Sequence, residues 1–194
     1  NAATDVTINS ATLNGYLSDM GSSIEVACSF EWGETTSYGN EVSAKLASSP
    51  GPFSAAITGL SPGRTYYYRA KAAGLGDGTS YGLDGNFTTS TTPPSVTTNA
   101  ATNVTINSAT LNGNLDSLGT ASSVLVSFQW GLDTSYGNET TPGNFTATGP
   151  FSGNISGLLP GTTYHFRAKA VGNGTAYGQD GNFTTGTTPP SVTP

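Results

Sequence analysis

The 194 residues carry a formal net charge of −6, and only 9% of them are charged. Such a chain has neither the basic face of a nucleic-acid-binding protein nor an apolar run of the roughly 18 residues that span a bilayer. Aromatic residues make up 10% of it and Val, Ile and Thr are plentiful, which indicates a folded protein rather than a disordered one.

The chain contains two copies of one sequence. NAATDVTINSATLNG at Asn1 returns as NAATNVTINSATLNG at Asn99, and 44 of the first 76 residues are identical to the residue 98 positions later. Residues 75–78 are longer than their counterpart by two, and the offset is then 96. A repeat of this length indicates two folding units of ordinary domain size. We predict domains at 1–92 and 93–188, followed by a linker or opening strand at 189–194.

Apolar and polar residues alternate with period two in short segments, which is typical of strands with one buried face. In the second segment, Ile24, Val26, Cys28, Phe30 and Trp32 are predicted to face the core. No stretch of the sequence has the 3.6-residue period of a long helix. About seven strands per copy, separated by turns, predict an antiparallel two-sheet sandwich. The segments of the first copy are 11–17, 24–32, 53–57, 65–73 and 85–89.

The repeated Asp-Gly-Asn at Asp84 and Asp180 has two interpretations. Its oxygens suit a hard cation such as Ca²⁺. Asp and Asn also bond to their own backbone in tight turns, where Gly permits a positive φ. We favour turns, and we predict no metal site and no cofactor.

Two segments of the copies share a Leu, a Pro-Gly pair and a Tyr: GLSPGRTYYYRA at 59–70 and GLLPGTTYHFRA at 157–168. They resemble the L-x-P-G-T-x-Y segment of fibronectin type III domains. In that family the Leu closes strand E, and the Tyr opens strand F as the tyrosine corner. The resemblance implies two seven-stranded fibronectin type III or immunoglobulin-like sandwiches. It gives the corner role to Leu60 with Tyr66 and to Leu158 with Tyr164.

A second motif, FEWG followed by SYG at 30–39, returns as FQWG and SYG at 128–137. It resembles the form that fibronectin type III domains take in prokaryotic surface and secreted proteins. The strand-B Trp of animal modules is missing, and the core Trp lies on predicted strand C instead. Cell adhesion through an RGD loop does not carry over, because no Arg precedes Gly76-Asp77.

No catalytic residue is predicted. The one histidine, His165, corresponds to Tyr67 in the first copy, and no His lies near a Ser nucleophile. Most acidic residues of the first copy are not repeated in the second, and they are scattered over loops, so they do not indicate a pair of glycosidase carboxylates. The single cysteine, Cys28, corresponds to Val126 and is predicted to be a small buried hydrophobe.

Most basic residues fall on the outward side of predicted strand F. Glu31 and Gln129 can lie opposite the two arginines on the neighbouring strand. We favour a solvated face with one cross-strand ion pair; the alternative is a contact surface for another domain, another subunit or a sugar. The candidate interaction face comprises Tyr67, Arg69, Lys71, His165, Arg167 and Lys169.

Other aromatic residues could form a stacking platform for carbohydrate, but we predict that the tryptophans lie in the core and the tyrosines cap turns. The residues concerned are Trp32, Trp130, Tyr38, Tyr136, Tyr81 and Tyr177. Seven N-x-[ST] sequons are candidate N-glycosylation sites in a cell that glycosylates exported proteins. Their asparagines are Asn86, Asn103, Asn138, Asn144, Asn154, Asn173 and Asn182.

The segment TTPPSVTT at 91–98 joins the copies. Its Pro-Pro pair predicts a stiff joint, and 95–97 is predicted to begin strand A, the strand that opens a repeat. The first copy starts at Asn1, the equivalent of Asn99, and is predicted to lack strand A. The sequence PPSVT returns at 189–193.

These ends have two interpretations. The chain is either a window of a longer array, which we favour, or a unit that assembles head to tail. In the second case the last residues add a strand to the first copy of another molecule, and the contact extends into a filament if it does not close into a ring. The candidate donor residues are Pro189, Pro190, Ser191, Val192, Thr193 and Pro194.

From these features we expect a non-catalytic structural or adhesive repeat of an extracellular prokaryotic surface protein, stalk or filament. Its expected partners are neighbouring copies of itself, further repeats of the same chain or extracellular polysaccharide, but not nucleic acid or a membrane interior. Two alternatives stay open: a spacer in a secreted polysaccharide-degrading enzyme, and a carbohydrate-binding module.

Overall fold

The computed structural model describes residues 1–74, 76, 78–188 and 190–192, and the regular elements it contains are β-strands. The described part of the chain has no helix long and apolar enough to cross a membrane. The chain divides into two compact units, unit 1 at Asn1–Thr91 and unit 2 at Thr92–Pro194. The prediction of an all-β protein is confirmed.

Unit 1 is a sandwich of two antiparallel sheets. Its strands are β1 (Ser10–Leu17), β2 (Val26–Gly33), β3 (Asn40–Ala47), β4 (Gly51–Thr58), β5 (Thr65–Gly74), β6 (Gly78–Tyr81) and β7 (Gly85–Thr88). β1 pairs with β4 to form one sheet. The other sheet has the order β3-β2-β5-β6, and β7 also pairs with β5.

Unit 2 repeats this arrangement and adds a strand at its start. Its strands are β8 (Ser95–Thr102), β9 (Ser108–Ser117), β10 (Val124–Gly131), β11 (Asn138–Glu139), β12 (Gly143–Phe145), β13 (Gly149–Ser156), β14 (Thr163–Gly172), β15 (Gly174–Tyr177) and β16 (Gly181–Thr184). One sheet has the order β13-β9-β8. The other is built on β10 and β14, with β11, β12, β15 and β16 beside them.

The inward side chains of the two sheets meet in a core of aromatic and aliphatic residues. Phe30 on β2 is fully buried, and its ring centroid lies 5.0 Å from that of Phe53 on β4, in the opposite sheet. Phe128 and Phe151 repeat this contact in unit 2 at 4.9 Å. Burial of one such ring contributes about 1.5–3 kcal/mol. Cys28 lies in the same core, where burial raises the pKa of its thiol.

The tyrosine corner is present in both units. The backbone N–H of Ser61 donates to the Tyr66 hydroxyl at 2.9 Å, and that of Leu159 donates to the Tyr164 hydroxyl at 3.0 Å. Both tyrosine side chains are buried. The bond satisfies a backbone donor at the point where the chain passes between the sheets.

A buried threonine completes each corner, and sequence reasoning missed it. The Thr89 hydroxyl donates to the Ser61 carbonyl at 2.7 Å and accepts from the Arg64 N–H at 3.0 Å. Thr185 makes the equivalent bonds in unit 2. The only available signal was that DGNFTT occurs in both copies.

Two sequence-based predictions about local structure are wrong. Ile24 is 83% exposed because β2 begins only at Val26, and the chain before it is still in a turn. The Asp-Gly-Asn segments are not tight turns, since Gly85 and Gly181 begin strands β7 and β16. The glycine is needed for packing instead: a Cβ on Gly85 would lie 2.8 Å from the Tyr68 ring.

Tyr164→Phe should lower the free energy of unfolding by about 1–3 kcal/mol, because it leaves the Leu159 N–H without its buried acceptor. Urea unfolding followed by fluorescence measures the change. Tyr16→Phe is the matched control, since Tyr16 is 62% exposed. Equal stabilities of the two variants would contradict the role of the corner.

Candidate interaction surfaces

The outward face of the β2–β5 sheet in unit 1 is organised around Arg69. β2 places Glu31 directly opposite it, and its guanidinium contacts that carboxylate at 2.7 Å. The guanidinium also lies over two tyrosine rings, 3.9 Å from the centroid of Tyr81 and 4.8 Å from that of Tyr38. The arginine is therefore held by an ion pair and by two cation–π contacts.

Unit 2 repeats the stack with a neutral partner. The Arg167 guanidinium donates to the Gln129 side-chain oxygen at 2.8 and 3.0 Å. It lies 3.9 Å from the centroid of the Tyr177 ring and 4.6 Å from that of Tyr136. The stack of one arginine between two tyrosines is thus common to both units, whereas the ion pair is not.

A lysine and a glutamate form the next contact on each face. Lys71 lies 2.9 Å from the Glu41 carboxylate, which also accepts a hydrogen bond from the Ser29 hydroxyl at 2.7 Å. The bonds from Ser29 and then Lys71 hold the pKa of Glu41 below its ordinary value. This contact also buries Ser29, although it lies on the outward side of β2 between the inward residues Cys28 and Phe30.

The same contact in unit 2 joins Lys169 to Glu139 at 2.9 Å and Ser127 to Glu139 at 2.7 Å. Burial acts to raise the pKa of Glu139. The hydrogen bonds from Lys169, Ser127 and Gln129 outweigh that effect, so the pKa lies below its ordinary value.

The third contact joins a tyrosine hydroxyl to a loop carboxylate. The tyrosine is Tyr38 in unit 1 and Tyr136 in unit 2. Burial, followed by the hydrogen bond that it donates to Asp84, raises the pKa of Tyr38 to about 12. In unit 2 the Tyr136 hydroxyl donates to Asp180 at 3.1 Å. The same carboxylate lies 2.8 Å from Nδ1 of His165. His165 therefore serves as a hydrogen-bond partner of Asp180.

The WG…SYG motif forms the turn that carries Tyr38 in unit 1 and Tyr136 in unit 2. Tyr38 has a φ of 56°, and its carbonyl oxygen would lie only 1.8 Å from a Cβ on Gly33. Gly131 and Tyr136 show the same relation at 1.7 Å. Only glycine permits this approach, which brings the tyrosine ring over the arginine.

The structure brings together residues that the sequence treated separately. The predicted pairing of Arg69 with Glu31 is present, but the tyrosines expected to be turn caps belong to the same face. The tryptophans at 32 and 130 are partly buried against the cores instead. Recurrence of the tyrosines at the same positions in both copies was the signal that could have grouped them with the arginines.

The predicted donor segment lies partly outside the described residues, which include Pro190, Ser191 and Val192 but not Pro189, Thr193 or Pro194. Val192 is 96% exposed. Its counterpart Val96 belongs to β8 and is buried in the core of unit 2. The predicted strand A is therefore present in unit 2.

The seven sequon asparagines are all exposed: Asn86, Asn103, Asn138, Asn144, Asn154, Asn173 and Asn182. They lie on strands and loops of both units, and an oligosaccharide on any of them would extend into solvent. Within the described residues, no group of three or more His, Cys, Asp or Glu side chains is arranged to hold a metal ion.

Comparison with known proteins found no matching family model and no matching curated protein. A solved sensor domain of the anti-sigma factor RsgI4 of Pseudobacteroides cellulosolvens is 21% identical, covers 50% of this chain and 97% of its own, and gives a TM-score of 0.41. The FN1–FN3 domains of chicken CNTN1 are 12% identical, cover 96% of this chain and 64% of their own, and also give 0.41. Each unit of the chain has an antiparallel two-sheet β-sandwich fold.

Gly131→Ala should lower the free energy of unfolding by about 1–3 kcal/mol, because the new methyl group would overlap the Tyr136 carbonyl. Thermal or urea unfolding measures the loss. Gly143→Ala is the control, since the closest atom to its Cβ lies at an ordinary 3.4 Å. Equal losses in both variants would contradict the packing role of Gly131.

Glu139→Gln should destabilise the protein by up to about 1 kcal/mol at pH 7, because it removes the charge but keeps an acceptor for Ser127. The pKa of Glu139 is lower in the folded state, so its contribution is complete above the ordinary value of 4.5 and is lost as the pH falls through the folded pKa. The difference from wild type should therefore shrink in acid.

Urea unfolding between neutral and acidic pH tests this dependence. Glu34→Gln, at an exposed position after β2, removes the same charge as a control. A difference between Glu139→Gln and wild type that stays constant with pH would contradict the assignment.

Proposed function

We propose that this chain is a non-catalytic structural or adhesive repeat module of an extracellular prokaryotic surface protein, stalk or filament. One observation carries the proposal. The basic side chains of each outward face are held by the same kinds of neighbour in both units: Arg69 and Arg167 lie over tyrosine rings, and Lys71 and Lys169 each pair with a glutamate. These contacts stiffen a surface and do not gather groups around a substrate.

The interior of each unit supports the same proposal. Each core is closed by its own aromatic residues, with Phe30 in unit 1 and Phe128 in unit 2 fully buried between the sheets. Each unit is thus able to act as a rigid element of an array. The pair Pro93-Pro94 between them lacks backbone donors and has a restricted φ, which suits a stiff joint.

The surface composition supports an extracellular location. Charged residues are 9% of the chain, hydroxyl and amide side chains are abundant, and the seven sequon asparagines face solvent. The resemblance to prokaryotic surface modules, carried by Trp32, Gly33 and Tyr38 and by their copies, supports the same class of protein.

A second candidate is a carbohydrate-binding module, alone or within a secreted polysaccharide-degrading enzyme. It is favoured by Tyr81 and Tyr177, which are 48% and 46% exposed at the same position of the two units. An exposed aromatic ring is a common stacking surface for sugars. Arg69 and Arg167 already cover one side of these rings, so only the opposite side is left for a ligand.

Immunogold labelling of intact cells of the source organism should place gold on the outer surface or on filaments that extend from it. Gold found only in sectioned cytoplasm would contradict the proposal. Affinity electrophoresis in gels that contain extracellular polysaccharide tests the second candidate. Retardation that Tyr81→Ala and Tyr177→Ala together abolish would replace a structural role with sugar binding, and unretarded migration would leave the structural proposal in place.

A further inference from the structure

Strand β8 shows how strand A docks on this fold. Its Val96 pairs with Leu115 of β9 and its Thr97 with Asn114, in an antiparallel register. The Val96 side chain is only 9% exposed, and the Thr97 hydroxyl donates to Asp116 at 2.7 Å. Backbone pairing and one buried valine therefore attach this strand to the outer edge of β9.

Unit 1 has the same edge without that strand. Among the residues that the structure describes, no strand pairs with Gly15–Leu17 on the side away from β4. Residues next to this edge also differ in burial between the units. Ala70 and Ala72 are only partly buried, whereas their counterparts Ala168 and Ala170 are fully buried beside β8.

The residues around this edge differ between the units in a specific way. Unit 1 has Tyr16 and Leu83 where unit 2 has Asn114 and Gln179. The Tyr16 side chain is 62% exposed and the Leu83 side chain 98%, and both line one groove along β1. Large apolar side chains are thus exposed in the one unit whose edge is open, which is typical of a contact surface.

The chain carries a strand that matches this groove. Residues 189–193 have the same sequence, PPSVT, as residues 93–97. Val192 corresponds to the buried Val96, yet it is 96% exposed. The first occurrence of PPSVT leads into β8, which is docked on the edge of β9 in unit 2. Its second occurrence therefore matches the equivalent open edge of β1 in unit 1.

We propose that 190–192 of one molecule dock as strand A on unit 1 of a second copy of this chain. In the register of β8, Val192 lies opposite Leu17 and fills the space above Ala70 and Ala72. The docked strand adds backbone hydrogen bonds to an open sheet edge, the mode of binding called strand addition.

Residues Asn1 and Ala2 are held in place next to this edge. The Tyr68 hydroxyl donates to the Asn1 carbonyl at 2.7 Å, and the Asn14 side chain donates to the Ala2 carbonyl at 3.0 Å. The groove beside β1 therefore has one fixed wall before any strand docks.

The contact joins different surfaces of the two copies. The donor segment and the acceptor edge are different parts of the chain, so repeated docking builds an open chain unless the rotation between copies closes a ring. The inference rests on the proposed structural role and names the partner for it. Failure of strand docking would leave the folded spacer module as proposed, and only the mode of assembly would be lost.

Sedimentation velocity of the full 194-residue chain over about a hundred-fold range of concentration tests the proposal. We expect association that grows with concentration. Val192→Asp should weaken it at least about ten-fold, because the charge would enter an apolar groove. Ser191→Asn is the control, since the equivalent Ser95 is exposed on β8 and the amide adds no charge opposite Asp19, so this variant should associate like wild type.

Two further variants test the acceptor. The double variant Tyr16→Asn, Leu83→Gln carries the residues of unit 2, so it should keep the fold and lose association. A chain with TTPPSVTT placed before Asn1 supplies strand A to unit 1 in its own polypeptide, and should be monomeric. Association that is absent in wild type, or that persists unchanged in Val192→Asp or in the extended chain, would overturn the proposal.

Discussion

The contact on which the rest of this structure depends is the packing of Phe30 and Phe128 between the two sheets of their units. Each ring is fully buried and meets a ring of the opposite sheet at about 5 Å. The contact determines which side of each strand faces inward. Because side chains alternate along a strand, it also determines which residues are displayed on the outside.

The outward network follows from that constraint. With Phe30 directed inward, Glu31 must point outward on β2, and Arg69 must do the same on β5, because the antiparallel register places these two residues opposite each other. The tyrosines over the arginine come from other elements: Tyr38 from the turn after β2 and Tyr81 from β6. Unit 2 keeps this geometry with Gln129 in place of the glutamate, so the stack does not depend on the ion pair.

Sequence reasoning located five of the strands described in unit 1 and the tyrosine corners, because these depend on local signals, namely alternation and the Pro-Gly-x-x-Tyr spacing. It did not locate β3 or β6. It failed at Ile24 because the alternating pattern begins two residues before β2, which starts at Val26. A periodic pattern does not mark the residue at which strand pairing begins. It failed at Asp84-Gly85-Asn86 because turn composition and strand packing both favour glycine there. It separated Tyr38 from Arg69 because a contact between distant segments is not a local pattern, and its only signal was that both residues recur at the same positions of the two copies.

The sequence by itself determined the duplication, the all-β class and the recurrence of PPSVT at 93–97 and 189–193, since each of these follows from identity or from period-two alternation. Only the tertiary structure decided how the two occurrences of PPSVT differ. It showed Val96 buried on one edge, the equivalent edge of unit 1 open beside Tyr16 and Leu83, and Val192 exposed. The reason is that burial is a property of the neighbours that folding brings together, and identical residues have different burial when one unit contains the strand that covers them and the other does not.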